Sequence, residues 1–163
     1  MKIVNMNKRG FTLIEFLIYF AIITGLIGTV VLIGTNISTA RMRNMSMEVV
    51  NQNGRVISER VSREIRLAEE IESVEGDKLI LNSLYESTDP VEIYLEGSHF
   101  YIKRGDREPD RVSTERSVIR RLNFEKAGDG AVRMDFDVAF YNPEEMPQFD
   151  FERSFTTVEN LRR

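Results

Sequence analysis

The 163-residue sequence has no cysteine and no tryptophan, one histidine (His99), and four prolines, none of them before Pro90. Without cysteine there is neither a disulfide framework nor a thiolate metal site, so redox usage does not identify the compartment. A lone histidine, and no serine in a nucleophile elbow or Gly-rich phosphate loop, leave no catalytic constellation. The expectation is therefore a chain that is not an enzyme and uses no cofactor, metal or small-molecule substrate. The charges are 22 basic and 26 acidic side chains, a balance that argues against a general nucleic-acid binder. Two local absences say more. Residues 1–10 contain Lys2, Lys8 and Arg9 but no acid, and the 25 residues from Phe16 to Ala40 contain no charged side chain.

The second of these stretches is rich in Leu, Ile, Val, Phe and Ala, and spanning bilayer hydrocarbon takes about 20 such residues. An ordinary secretory signal has a shorter apolar core of about 7–15 residues followed by small residues, a pattern that Gly34–Ala40 imitates. Lys2, Lys8 and Arg9 precede the apolar run, and the positive-inside tendency holds them in the cytoplasm. The chain beyond about Thr39 is then expected outside the cytoplasm, with the anchor a single pass. Glu15 interrupts this plain anchor. A carboxylate one turn into an apolar helix costs about 2.5–3.5 kcal/mol at the bilayer centre and calls for a partner. Glu15 either snorkels to the cytoplasmic interface beside Arg9 or pairs with an amine created by cleavage after Gly10. A helix stacks position i+4 over position i, so the new ammonium of Phe11 and the Glu15 carboxylate would lie on one face.

The string Lys8-Arg9-Gly10-Phe11-Thr12-Leu13-Ile14-Glu15, followed by the apolar run, resembles the class III signal of type IV prepilins and type II secretion pseudopilins. The resemblance implies a basic leader (Lys8, Arg9), prepilin peptidase cleavage between Gly10 and Phe11, and N-methylation of Phe11. It also implies that Glu15 neutralises the amine of an adjacent subunit during assembly. One departure is that major pilins commonly have a helix-breaking proline where this chain has Leu32. Gly25, Gly28 and Gly34 could loosen the helix instead, at about 1 kcal/mol each relative to Ala. Ala21-x-x-x-Gly25 is also a spacing that permits close helix contact.

Past the apolar run, Met42, Met45, Val49, Ile57, Val61, Ile65, Ala68 and Ile71 recur mostly at three- and four-residue steps. This predicts a helix continuing from Arg41 to Ile71 with one buried stripe, and Gly54 marks a place where it could bend. After Glu75-Gly76-Asp77 the pattern becomes β-like over Lys78–Leu84, Val91–Glu96 and Ser98–Lys103, with Glu96-Gly97-Ser98 as a hairpin turn. Gly105–Ser117 reads as an irregular polar connection. Val118–Glu125 and Ala131–Tyr141 form a second predicted hairpin, and Phe149–Val158 a last strand. The whole predicts an α+β, pilin-like architecture: a long N-terminal helix, half transmembrane and half amphipathic, packed on an antiparallel sheet of about four to six strands. The expected divisions are a cleaved leader (1–10), a transmembrane or filament-core helix (11–40) and an extracytoplasmic head (41–163).

Two segments bear on the kind of subunit. Ile57–Ala68 is similar to the helix of J-type minor pseudopilins and W-type minor pilins, and Phe155–Arg162 looks like their final strand. By that resemblance the chain would be a scarce subunit near the filament tip, helping to initiate assembly. In the head, Asp135 and Asp137 share a strand face and could form a carboxylate pair or, with Asp129, a calcium site, although a solvated strand face explains them as well. Arg104-Gly105-Asp106 is an integrin-type tripeptide that a turn explains equally. Arg104, Arg107, Arg111, Arg116, Arg120 and Arg121 could contact DNA phosphates, but Asp106, Glu108, Asp110 and Glu115 cancel much of their field. Expected partners are prepilin peptidase, other pilin or pseudopilin subunits and, before assembly, inner-membrane lipid. The competing role is a binding subunit on the same anchor, an adhesin or a DNA receptor.

Overall fold

The structure, a computed structural model, describes residues 12–128 and 130–162. Helix α1 runs from Leu13 to Leu67, and eight strands follow it: β1 (Ala68–Glu75), β2 (Lys78–Ser83), β3 (Val91–Glu96), β4 (His99–Arg104), β5 (Asp110–Arg111), β6 (Ser117–Lys126), β7 (Ala131–Phe140) and β8 (Glu152–Asn160). This is the α+β, pilin-like fold that the pattern predicts, a long N-terminal helix with antiparallel sheets. The chain divides into two compact units, Met1–Ala40 and Arg41–Arg163.

In the second unit the strands form two sheets rather than one. The first has the order β1-β2-β3-β4-β5 and the second β6-β7-β8, with every neighbouring pair antiparallel. Short two-residue links close the β1–β2 and β3–β4 hairpins. At the latter, Gly97 has φ +61°, a left-handed conformation open to residues without a Cβ. The two sheets meet where the Phe124 N–H donates to the Gly76 carbonyl and the Ile119 N–H to the Ser98 carbonyl.

The helix ends at Leu67 instead of Ile71, and the next eight residues form a strand that the periodicity disguised. Pairing with β2 sets Ala68 opposite Ser83, Ile71 opposite Leu81 and Val74 opposite Leu79, with register shifts between Ala68 and Glu70 and between Ile71 and Ser73. Each shift places an extra residue in β1, as a β-bulge does, so inward positions that would recur every two residues recur every three. A three-residue step is also the step of a helix, which is why the recurrence of Ala68 and Ile71 reads as helical.

The core lies between the Arg41–Leu67 part of α1 and the inner faces of both sheets. Ile57, Val61, Leu79, Leu81, Ile93, Phe100, Ile102, Phe136 and Val138 are fully buried. Each contributes about 1.5–3 kcal/mol by leaving water. The upper part of the predicted stripe differs: Met42 and Met45 are exposed, and the buried positions there are Ser46, Val50, Asn53 and Gly54. Gly54 lies within the unbroken run of α1. A Cβ there would meet the ring of Phe155 from β8 at 2.1–2.4 Å, so the glycine is what lets that ring lie on the helix backbone. Phe155 also stacks on Phe136 with ring centroids 5.3 Å apart.

The connection read as irregular, Gly105–Ser117, contains β5 and is tied to the helix by Asn53. The Asn53 amide donates to the Val49 carbonyl (2.9 Å) and to the Thr114 hydroxyl (3.1 Å), and its oxygen accepts from the Thr114 N–H (3.0 Å). A buried amide with all three contacts made is a favourable anchor, because each of its polar groups has replaced the water it lost. The last strand begins at Glu152, since Pro147–Phe149 forms a 3-10 turn that proline initiates.

Candidate functional site: the N-terminal segment

Helix α1 starts at Leu13, which makes Thr12 its N-cap and Glu15 its third residue. The Glu15 N–H points at the Thr12 hydroxyl (3.4 Å), and that hydroxyl in turn faces a Glu15 carboxylate oxygen (3.5 Å). Thr-x-x-Glu is the pattern of a capping box, which occupies donors that the first helical turn leaves unsatisfied, and a negative charge there suits the positive end of the helix dipole. The Thr-x-x-Glu spacing is legible in the sequence as Thr12 and Glu15. Lys8, Arg9, Gly10 and Phe11 lie outside the described residues.

From Leu13 to Ala40 every residue is exposed, Leu13 at 80% and Ile14 at 68%. Three threonines in this stretch turn to their own backbone: the Thr29 hydroxyl donates to the Gly25 carbonyl, Thr35 to Leu32 and Thr39 to Thr35, at 2.9–3.0 Å. Such bonds let a hydroxyl enter a medium without water. A Cβ added at Gly25, Gly28 or Gly34 would meet nothing within 4 Å. A helix that is apolar all round is suited to lipid or to a bundle of like helices, and α1 is long and apolar enough to cross a membrane.

Residues 5–34 match the family model of the prokaryotic N-terminal methylation motif. The segment is similar to a prokaryotic N-terminal methylation motif. It supports placing the chain in the type IV pilin and pseudopilin family, as a membrane-anchored structural subunit. The motif implies processing by prepilin peptidase and assembly with other pilins. No curated protein and no solved structure matches the chain.

Beyond the methylation motif, the head pairs most of the charges singled out above. Asp135 and Asp137 do share a face of β7. The Asp135 carboxylate accepts from the Thr156 hydroxyl (2.5 Å) and from Arg133 (2.8 Å), and these bonds, the hydroxyl's foremost, hold it below the usual carboxylate range. Asp137 is paired with Arg121 at 2.8 Å, and Asp129 lies outside the described residues. Among the described residues, no group of three or more His, Asp or Glu is placed to hold a metal ion.

The arginines are similarly engaged. Arg104 turns away from the tripeptide it heads and bonds Glu64 on the helix at 2.6 Å, a hydrogen bond that raises its pKa above the ordinary guanidinium value. Arg120 pairs with Glu152 at 2.9 Å. Arg111 donates to the Ser113 carbonyl and contacts the Nδ1 of His99 at 3.1 Å. Burial and the Arg111 cation push the His99 pKa down, in that order, so the ring is the neutral acceptor of that contact at neutral pH.

Proposed function

We propose that the chain is a minor structural subunit of a type II secretion pseudopilus or a type IV pilus, one that initiates assembly or sits at the tip. Prepilin peptidase cuts between Gly10 and Phe11, and Phe11 is then N-methylated. The apolar helix holds the subunit in the inner membrane as a single pass, with the N-terminus cytoplasmic and the head outside, until it enters the filament.

The observation that carries this reading is a helix exposed on every apolar side from Leu13 to Ala40 with one carboxylate, Glu15, in its first turn. Among the described residues, the Glu15 carboxylate faces the Thr12 hydroxyl. Against a neighbour's methylated amine in a low-dielectric bundle, the same carboxylate gains a charge partner that fixes axial register. Leu32 in place of a shaft-type proline, with the helix and last-strand likenesses, supports the minor role. The pairing of Arg104, Arg120 and Arg121 with carboxylates weighs against a DNA receptor.

Glu15→Ala tests the reading. The variant is expected to be cleaved normally and to accumulate in the membrane, while its recovery in sheared filaments falls at least about tenfold, a loss equivalent to one charge-assisted contact. Recovery of Glu15→Ala in filaments at the wild-type level would refute the assembly role of this carboxylate.

A further inference from the structure

Where α1 gives way to β1, the head has an open groove of about 770 Å³ between the last turns of the helix and the end of β8. Arg63, Arg66 and Leu67 line it from the helix, and Glu159 and Arg162 line it from the far side. A space of that size takes several side chains of a partner rather than a lone ion.

The arginines here differ from those elsewhere on the head. Arg60, Arg104, Arg120 and Arg121 each hold a carboxylate of this chain at 2.6–2.9 Å. Arg63 and Arg162 are exposed, and among the described residues neither holds a carboxylate. Arg66 donates its Nε to the Ser62 carbonyl at 3.2 Å and comes no nearer than 3.9 Å to Glu159. Its two terminal nitrogens have no acceptor among the described residues. A cation in the last helical turn suits the negative end of the helix dipole, which accounts for Arg66. It does not account for Arg162, which reaches the same groove from beyond the end of β8.

The charge of the groove selects among anions. Glu59 lines it together with Glu159, so three guanidinium groups stand against two carboxylates and one positive charge is in excess. That excess suits a single carboxylate, whose two oxygens match the fork of a guanidinium group. A polyanion such as nucleic acid calls for a series of cations along its backbone, and the two glutamates oppose it.

The surface that continues from the groove is apolar. Leu67, Leu84 and Tyr85 are each more than half exposed. Ser83 pairs with Ala68, so Leu67 and Leu84, each one residue beyond that pair, stand at the same end of β1 and β2. The loop that carries Tyr85 is tied down by its own polar groups. The Ser83 N–H donates to the Asp89 carboxylate (2.7 Å), the Ser83 and Thr88 hydroxyls meet at 2.8 Å, and the Thr88 N–H donates to the Tyr85 carbonyl (2.9 Å). Large apolar side chains held outward on an ordered loop add nothing to the head's own core. Beside unpaired arginines they have the composition of a binding surface, and their order in advance lowers the entropy lost on binding.

We propose that this end of the head docks an acidic segment of another protein. One Asp or Glu carboxylate of that segment enters the groove among Arg63, Arg66 and Arg162, and apolar side chains next to it cover Leu67, Leu84 and Tyr85. The site is separate from the N-terminal segment and does not depend on its role.

The test presents the full-length chain, purified in detergent, to a displayed library of short random peptides. The expected result is enrichment of sequences with Asp or Glu next to Leu, Ile or an aromatic residue. A representative peptide is expected to bind the Arg63→Glu/Arg162→Glu variant at least about tenfold more weakly than the wild type, the loss of charge-assisted bonds to one carboxylate. Tyr85→Ser is expected to weaken it several-fold, while Arg55→Glu, an exposed arginine of the same helix outside the groove, leaves the affinity unchanged. If circular dichroism shows that the double variant melts early, Arg162→Gln alone carries the same expectation. No enrichment, enrichment of basic or uncharged sequences, or equal affinity for the wild type and the groove variants overturns the proposal. So does an equal loss with Arg55→Glu, which would mark a general charge attraction, or displacement of the peptide by a DNA oligonucleotide, which would make the groove a phosphate site.

Discussion

One helix runs through both parts of this molecule, and its two halves treat small residues in opposite ways. Gly28 lies in the half before Arg41, where a Cβ would touch nothing, whereas Gly54 lies in the half that belongs to the head, where a Cβ would enter the ring of Phe155. The apolar side chains differ in the same manner. Ile22 is exposed and Ile57 is fully buried, although both belong to the same helix. The head half finds its solvent-free environment within its own chain. The N-terminal half has to find it in lipid or in other subunits, which is why its sequence is apolar on every face while the head half shows a single stripe.

The same substitution in the two halves is the sharpest way to break this contrast. Gly54→Ala forces Phe155 off the helix and is expected to destabilise the head by about 1–3 kcal/mol, the usual range for overpacking. Gly28→Ala is expected to leave the melting temperature of the head unchanged and to strengthen the local helix by up to about 1 kcal/mol. Thermal unfolding of the two variants followed by circular dichroism distinguishes the halves, and equal losses would mean that the division is misplaced. A loss of about 0.5–1.5 kcal/mol, at the lower end of the Gly54→Ala range, is expected from Asn53→Ala, which removes the acceptor of the Thr114 N–H where exposed Thr114 can turn to water instead. Hydrogen exchange should then accelerate at Thr114 and its neighbours, while exchange in β2 and β3 stays as it was.

The features that were legible in the sequence are those that one residue type decides. A long uncharged run preceded by Lys8-Arg9-Gly10 and interrupted by Glu15 fixes the kind of N-terminus, and alternation in Ala131–Phe140 fixes a strand. Features that depend on a distant partner were not legible. The bulges of β1 arise from its pairing with β2 and convert a strand period into a helical one. Asn53 and Gly54 look like a polar interruption of the stripe until Thr114 and Phe155 are placed against them. β5 is too short to show a period. The two sheets meet at Gly76 and Ser98, long-range contacts that no local pattern announces.

The central claim is that the N-terminal segment is a processed anchor, and the mass of the mature N-terminus tests it most directly. Peptide mass spectrometry of the chain recovered from membranes is expected to begin at Phe11 with one added methyl group, and Gly10→Ala is expected to leave most of the chain uncut, beginning at Met1. A wild-type chain that retains Lys8 and Arg9, or a Gly10→Ala variant processed as completely as the wild type, would contradict the account.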